Sequence, residues 1–303
     1  MQHVINTPLL SRSILFGRFS LAAYSSSDPR NIPGLDHGRL TCDTRLPLGF
    51  ESNTTDTQVL VCRWNNDIVV AFRGTELKLR DWLTDLSGSL VPCQHGGGKV
   101  HSGFQAALGS IFPQIVRSIQ DIALPGKSRL FVCGHSLGGA LSLLFAGRYQ
   151  RESHGAGQSL PPLFEVFTYG APRVGDADFA TEFHRLPIAD HTFCWVDPED
   201  PVTRVAPASL NYRHAVQRQL TVDKNGWVRR TDIDGSVLPD DGEQTLLNQL
   251  MGLLQRVSIA TSLEASSHKL ERAYLQQLRR AAQHSADPSQ VLSATELLEE
   301  GTA

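Results

Sequence analysis

The chain has 303 residues, 41% of them hydrophobic and 19% charged, with 28 Lys and Arg against 31 Asp and Glu for a formal net charge of -3. Those proportions belong to a globular chain rather than a disordered one, and the missing basic excess removes the electrostatic footprint that nucleic-acid binding needs. Five scattered cysteines, with no Cys-x-x-Cys pair, argue against a zinc site and a disulfide framework, leaving room for one or two bridges.

The first 27 residues, MQHVINTPLLSRSILFGRFSLAAYSSS, lack a basic segment ahead of a sufficiently long apolar core, so they do not read as a secretory leader. No stretch reaches the roughly 18 uninterrupted apolar residues of a membrane-spanning helix. The expectation is a soluble chain, cytoplasmic by default, with export by another route left open. Residues 14–24 have helical spacing, with Leu15, Phe19, Ala22 and Ala23 on one face, and predict a helix lying on a sheet. Residues 25–56, rich in Ser, Pro, Gly and Asp, read as irregular.

A hairpin follows: Thr57–Trp64 is strand-like, Asn65-Asn66-Asp67 is turn-like, and Ile68–Phe72 is an apolar strand expected at the centre of the sheet. It ends in Arg73-Gly74-Thr75-Glu76, where a small residue after glycine can offer an oxyanion donor. Residues 77–86 space Leu79, Trp82, Leu83 and Leu86 as a short amphipathic helix, either a packing element or a lid. Gly96-Gly97-Gly98 reads as a hinge or loop, and residues 104–123 as a helix with Pro113 inside it.

The centre of the chain is Gly134-His135-Ser136-Leu137-Gly138-Gly139-Ala140. The strand-like Leu130–Cys133 leads in and the helix-like Leu141–Ala146 leads out. Strand, Gly-x-Ser-x-Gly turn and helix make a nucleophile elbow, where the serine sits on a strained turn and the following helix offers backbone donors. Cys133, beside it, reads as a small buried hydrophobe. Further strands are expected at Phe164–Gly170 and His191–Val196, with a short helix over 176–185, a hairpin around Asn225-Gly226 and helices over 244–264 and from 266 to 278. Alternating strands and helices predict an α/β protein with a mainly parallel sheet covered on both faces, functional groups gathering at the C-terminal strand ends. The last 20 residues are polar and acidic and read as a mobile tail.

A serine needs a base, and the base a carboxylate to orient it. In the order Ser, acid, His expected after an elbow, Asp200 is the first choice of acid, with Asp197, Glu199 and Asp176 as rivals. His268, ahead of the last helix, is the first choice of base, with His214 as its rival. The Leu137 N–H, opening the helix, and the Thr75 N–H are the oxyanion donors.

These residues resemble the class 3 lipases, the fungal-type family of the α/β-hydrolase fold. The likeness lies in Val70-Ala71-Phe72-Arg73-Gly74-Thr75, Arg80–Leu86, Val100-His101-Ser102-Gly103-Phe104, the elbow, Tyr169–Gly175, Asp200-Pro201-Val202 and His268 with Tyr274. It implies a Ser136, Asp200, His268 triad, an oxyanion hole of Thr75 and Leu137, and a short helical lid around Leu79, Trp82 and Leu83. It also implies hydrolysis of lipid esters, at a lipid–water interface, through an acyl-enzyme, with no metal or cofactor. The expected layout is one hydrolase domain over 1–283, with a long insertion at about 210–265 ahead of the histidine, and a tail over 284–303. A phospholipase or galactolipase is the alternative within the family, and a non-catalytic lipid-binding relative the alternative outside it.

Overall fold

A computed structural model of the chain describes residues 7–24, 40–42, 57–74, 90–153, 160–204, 208–216, 218–226, 228–232 and 269–285. The expected lid segment and the helix over 244–264 lie outside the described residues, as does the expected tail beyond Ser285; its first two residues, 284 and 285, end the last described helix.

Among the described residues eight strands form one sheet: β1 (Leu40–Cys42), β2 (Val59–Trp64), β3 (Asp67–Phe72), β6 (Leu130–His135), β7 (Leu163–Tyr169), β8 (Thr192–Val196), β9 (Arg218–Val222) and β10 (Val228–Asp232), side by side in that order. From β3 to β9 each neighbour is parallel. The hairpins β1–β2–β3 and β9–β10 add antiparallel edges. A separate two-stranded ribbon joins β4 (Leu90–Pro92) to β5 (Lys99–His101). The expected hairpin turns fall where foreseen, with Asn65 at φ 53 and Gly226 at φ 80. The pair around Asn225-Gly226 continues the main sheet beyond β8, so part of the long insertion is sheet edge.

Burial of both faces explains why β3 and β6 read as continuous apolar runs: every residue of each is buried. Successive side chains alternate between two cores. Ile68, Val70, Phe72, Leu130 and Val132 face α2 (Ser102–Ile122), α3 (Leu137–Ser153) and α4 (Ala177–His184). Val69, Ala71, Phe131 and Cys133 face α1 (Thr7–Ala22) and the helical segment that ends the described chain, a π-turn over Leu270–Leu275 running into α5 (Gln276–Ser285). Phe16 stacks between Phe131 and Phe167, with centroid distances of 4.8 and 4.7 Å.

Two sequence readings are corrected, and a third, the hinge or loop at Gly96–Gly98, resolves to the loop. The first helix starts at Thr7, seven residues before the periodic stretch, because the Ser13 and Ser20 hydroxyls bond back to the Leu9 and Phe16 carbonyls and so enter a buried face. A strand at Leu40–Cys42 lies inside the stretch read as irregular. Gly96–Gly98 is the turn of the β4–β5 ribbon and packs tightly: Gly98 is at φ 74, and a Cβ there would stand 2.1 Å from the Phe179 nitrogen. Pro113 sits inside α2 without ending it.

Candidate active site

Ser136 leaves β6 and precedes α3 with φ 56, a left-handed value that a non-glycine residue holds only under constraint. The constraint is visible. The Ser136 N–H donates to Tyr169 O at 2.9 Å, and its own carbonyl accepts from the Gly139 N–H at 2.9 Å. A Cβ on Gly138 would stand 2.1 Å from the Phe72 carbonyl oxygen, so the turn closes against β3 only without a side chain. Leu137 opens α3, and the N–H groups of a first helical turn have no acceptor within their own helix. They are therefore positioned to receive a negative oxygen. Ser136 Oγ is buried and meets no hydrogen-bond partner among the described residues.

Thr75 lies outside the described residues. Its predecessor Gly74 abuts the elbow, where a Cβ would stand 2.4 Å from His135 O and 3.3 Å from Ser136 Cβ. Leu79, Trp82, Leu83 and His268 also lie outside the described residues.

Asp200 follows β8 and is buried. Its Oδ1 accepts from the Val202 N–H at 3.1 Å and from Lys269 Nζ at 2.5 Å, and its Oδ2 accepts from the Tyr274 hydroxyl at 2.7 Å. Tyr274 Oη in turn accepts from the Asp197 N–H at 3.3 Å. Burial, followed by the Asp200 charge, raises the Tyr274 phenol, so that it remains a donor.

The rival acids have other work. Asp197 Oδ1 accepts from the Glu199 N–H at 2.9 Å, and burial pushes its carboxyl up. Glu199 is exposed. Asp176 caps α4, its Oδ1 accepting from the Phe179 and Lys99 N–H groups, each at 2.9 Å. The rival base, half-buried His214, follows Arg213, whose N–H donates to Gly175 O at 2.7 Å. His214 bonds the Thr203 backbone rather than Ser136 Oγ, and burial, then the Arg173 charge, pushes its imidazole down to about 3. His101 caps α2 through Nδ1, which accepts from the Gly103 N–H at 3.1 Å. Burial pushes the Cys133 thiol up to about 12, which removes it as a nucleophile. No disulfide joins the described cysteines.

Sequence reading missed Tyr24 and Lys269, and took Tyr274 chiefly as an apolar helix position. Tyr24, just beyond α1, brings its hydroxyl to 2.8 Å from His135 Nδ1, behind the elbow. A lone tyrosine carries no spacing signal, so nothing in the pattern marked it. Burial pushes the His135 imidazole down to about 3, against the pull of Asp200 and aided by Lys269. The unfolded chain titrates this group near its ordinary 6.5 and so binds more protons between the two values. Stability from His135 is therefore complete above about pH 6.5 and declines as the pH falls toward about 3. Thermal unfolding followed from about pH 7.5 to 4 is expected to show Tm dropping through that window, and a Tm independent of pH would contradict the buried neutral histidine.

A parallel sheet with an elbow serine after one strand and an anchored carboxylate two strands along defines an α/β-hydrolase fold. Residues 69–210 match the family model for class 3 lipases. That segment, 142 of the 303 residues, carries the likeness to the family. The chain is similar to the lipase of Rhizomucor miehei, with 33% identity over 205 residues that cover 64% of this chain and 54% of the relative. It is also similar to phospholipase A1-II 1 of Oryza sativa subsp. indica, with 33% identity over 164 residues, 46% of this chain and 39% of the relative. The chain thus spans about half the length, or less, of these relatives. The solved structure of Rhizomucor miehei triacylglyceride lipase superposes with a TM-score of 0.61 at 25% identity, covering 76% of this chain and 88% of that one.

Proposed function

We propose that the chain is a serine ester hydrolase acting on acylglycerols, with Ser136 as nucleophile, His268 as base, Asp200 as acid, and the Leu137 and Thr75 N–H groups as oxyanion donors. The observation that carries the reading is Ser136 held at φ 56 between a buried strand and a helix N-terminus, with Asp200 fixed at the end of β8. In this mechanism His268 takes the Ser136 proton as Oγ attacks the ester carbonyl. The oxyanion is met by the two backbone donors, the alcohol leaves with the proton returned by His268, and water attacks the acyl-enzyme by the same route.

The phospholipase reading keeps the same machinery and changes the head group, and the likeness to the rice phospholipase A1 favours giving it a direct test. The test is a panel from C2 esters to triolein and phosphatidylcholine. The acylglycerol reading expects turnover of triolein or diolein above that of phosphatidylcholine. Faster release of fatty acid from phosphatidylcholine transfers the assignment to a phospholipase, and no turnover of any ester transfers it to the non-catalytic class.

A further inference from the structure

A triad carboxylate contributes by orienting the imidazole and stabilising the imidazolium that forms when the base takes the serine proton. A second cation on the same carboxylate works against that stabilisation. Such a cation is present. Lys269 Nζ lies 2.5 Å from Asp200 Oδ1, the lysine side chain 28% exposed and the aspartate side chain 1% exposed. With the Val202 N–H on Oδ1 and the Tyr274 hydroxyl on Oδ2, three of the roughly four acceptor directions of the carboxylate are used. One direction is taken by no described residue.

The other charged groups around the acid do not duplicate this role. On its own turn stand Asp197, buried and raised by that burial, and exposed Glu199. Arg204 reaches back to the Pro198 carbonyl at 3.2 Å. On the closing helical segment Glu271 pairs with Arg279, and Arg272 is exposed. From β6, neutral His135 meets Tyr274 in an edge-to-face ring contact at a centroid distance of 6.0 Å. Among the described residues, Lys269 is the cation bonded to Asp200.

We propose that Lys269 is a positioning residue of the triad, acting through Asp200 to keep the acid–base pair in its working protonation state at lower pH than the pair would hold alone. The inference rests on the reading of Asp200 and His268 as acid and base. The sign follows from charge alone: a fixed positive group beside Asp200 disfavours protons both on the carboxylate and on an imidazole sharing it. His135, deeper in the same cluster, feels the same two charges, Asp200 favouring its protonated form and Lys269 opposing it. The cost is weaker stabilisation of the imidazolium; the gain is activity further into the acid range.

The test is the pH dependence of kcat/KM on a soluble p-nitrophenyl ester at low ionic strength for wild type, Lys269→Met and Lys269→Arg. The acid limb of Lys269→Met is expected to move up by about one pH unit, the scale of a single neighbouring charge, and Lys269→Arg to keep the wild-type limb. A Lys269→Met limb coincident with wild type, or a Lys269→Arg limb displaced as far as that of Lys269→Met, overturns the proposal. Should Lys269→Met fail to fold, the wild type serves instead. Raising salt from about 0.05 to 0.5 M screens the partly exposed ammonium more than the buried carboxylate, and the acid limb should rise; an unmoved limb overturns the proposal. His268→Ala separates the two levels. Full activity there removes the triad reading itself, whereas an inactive His268→Ala beside an unshifted Lys269→Met removes only the role of Lys269.

Discussion

Ser136→Ala is expected to lower kcat for ester hydrolysis by about 10⁵- to 10⁶-fold with little change in thermal stability. The two halves of that expectation come from different features. The hydroxyl is buried and makes no hydrogen bond to a described residue, so its removal breaks no structural contact among them. The left-handed backbone at φ 56 is no harder for alanine than for serine, so the strain held by the Tyr169 and Gly139 hydrogen bonds is unchanged. Rates on a p-nitrophenyl ester and a thermal unfolding curve, measured on the same preparation, check both halves. Activity within tenfold of wild type would remove Ser136 as the nucleophile. A large drop in Tm would show that the hydroxyl supports the turn.

Asp200→Asn should cost about 10⁴-fold in kcat, while Asp197→Asn should stay within about tenfold of wild type. An amide at position 200 keeps the size of the carboxylate but presents a donor where the imidazole expects an acceptor, which favours the wrong tautomer. It also leaves Lys269 with no counter-charge on Oδ1 and weakens the acceptor for the Tyr274 hydroxyl. Asp197, three residues earlier, accepts the Glu199 N–H on Oδ1, a bond that an asparagine oxygen can keep, and on Oδ2 the longer Gln277 Nε2 contact at 3.5 Å, which the amide gives up. Comparison of kcat in the two variants decides between the acids that the sequence left in competition. Equal losses would indicate that the turn acts as a unit, and a larger loss at Asp197 would move the assignment.

Much of the fold was legible because its signals are local. Gly134, Ser136 and Gly138 could be read because a strand that turns sharply into a helix tolerates few residue types, and the same sterics appear in the approach of Gly138 to the Phe72 carbonyl. The buried strands could be read because a parallel sheet covered on both faces needs apolar residues at every position, as in Asp67–Phe72 beyond its first residue. The turn after β8 could be singled out because chain order and a strand end narrow the candidate acids to it, and the structure buries Asp200 there. What stayed hidden depends on contacts between distant segments. Ser13 and Ser20 broke the apolar pattern of α1, yet they lie in its buried face by bonding to their own helix. The glycines at 96–98 fit a hinge or a loop, and the choice rests on Gly98 being pinned against α4. Lys269 and Tyr24 lie 69 and 111 residues from the groups they touch, and neither belongs to a periodic pattern.

The helical segment over 269–285 lies against α1, where a Cβ on Gly17 would stand 2.4 Å from a Leu275 methyl. It also supplies Lys269 and Tyr274 to the acid, while Tyr24, just past α1, reaches the elbow. The strands of the sheet lie between residues 40 and 232, and the cluster on its α2–α4 side draws on residues between 59 and 216, so neither outer segment contributes to that face. The side-chain anchoring of Asp200 therefore waits on the C-terminal end of the described chain. During synthesis the serine is made, and its strand can pair, well before the residues that fix its acid have emerged. A chain halted short of residue 269 has made Ser136 and Asp200 but lacks Lys269 and Tyr274, the side chains that bond the Asp200 carboxylate.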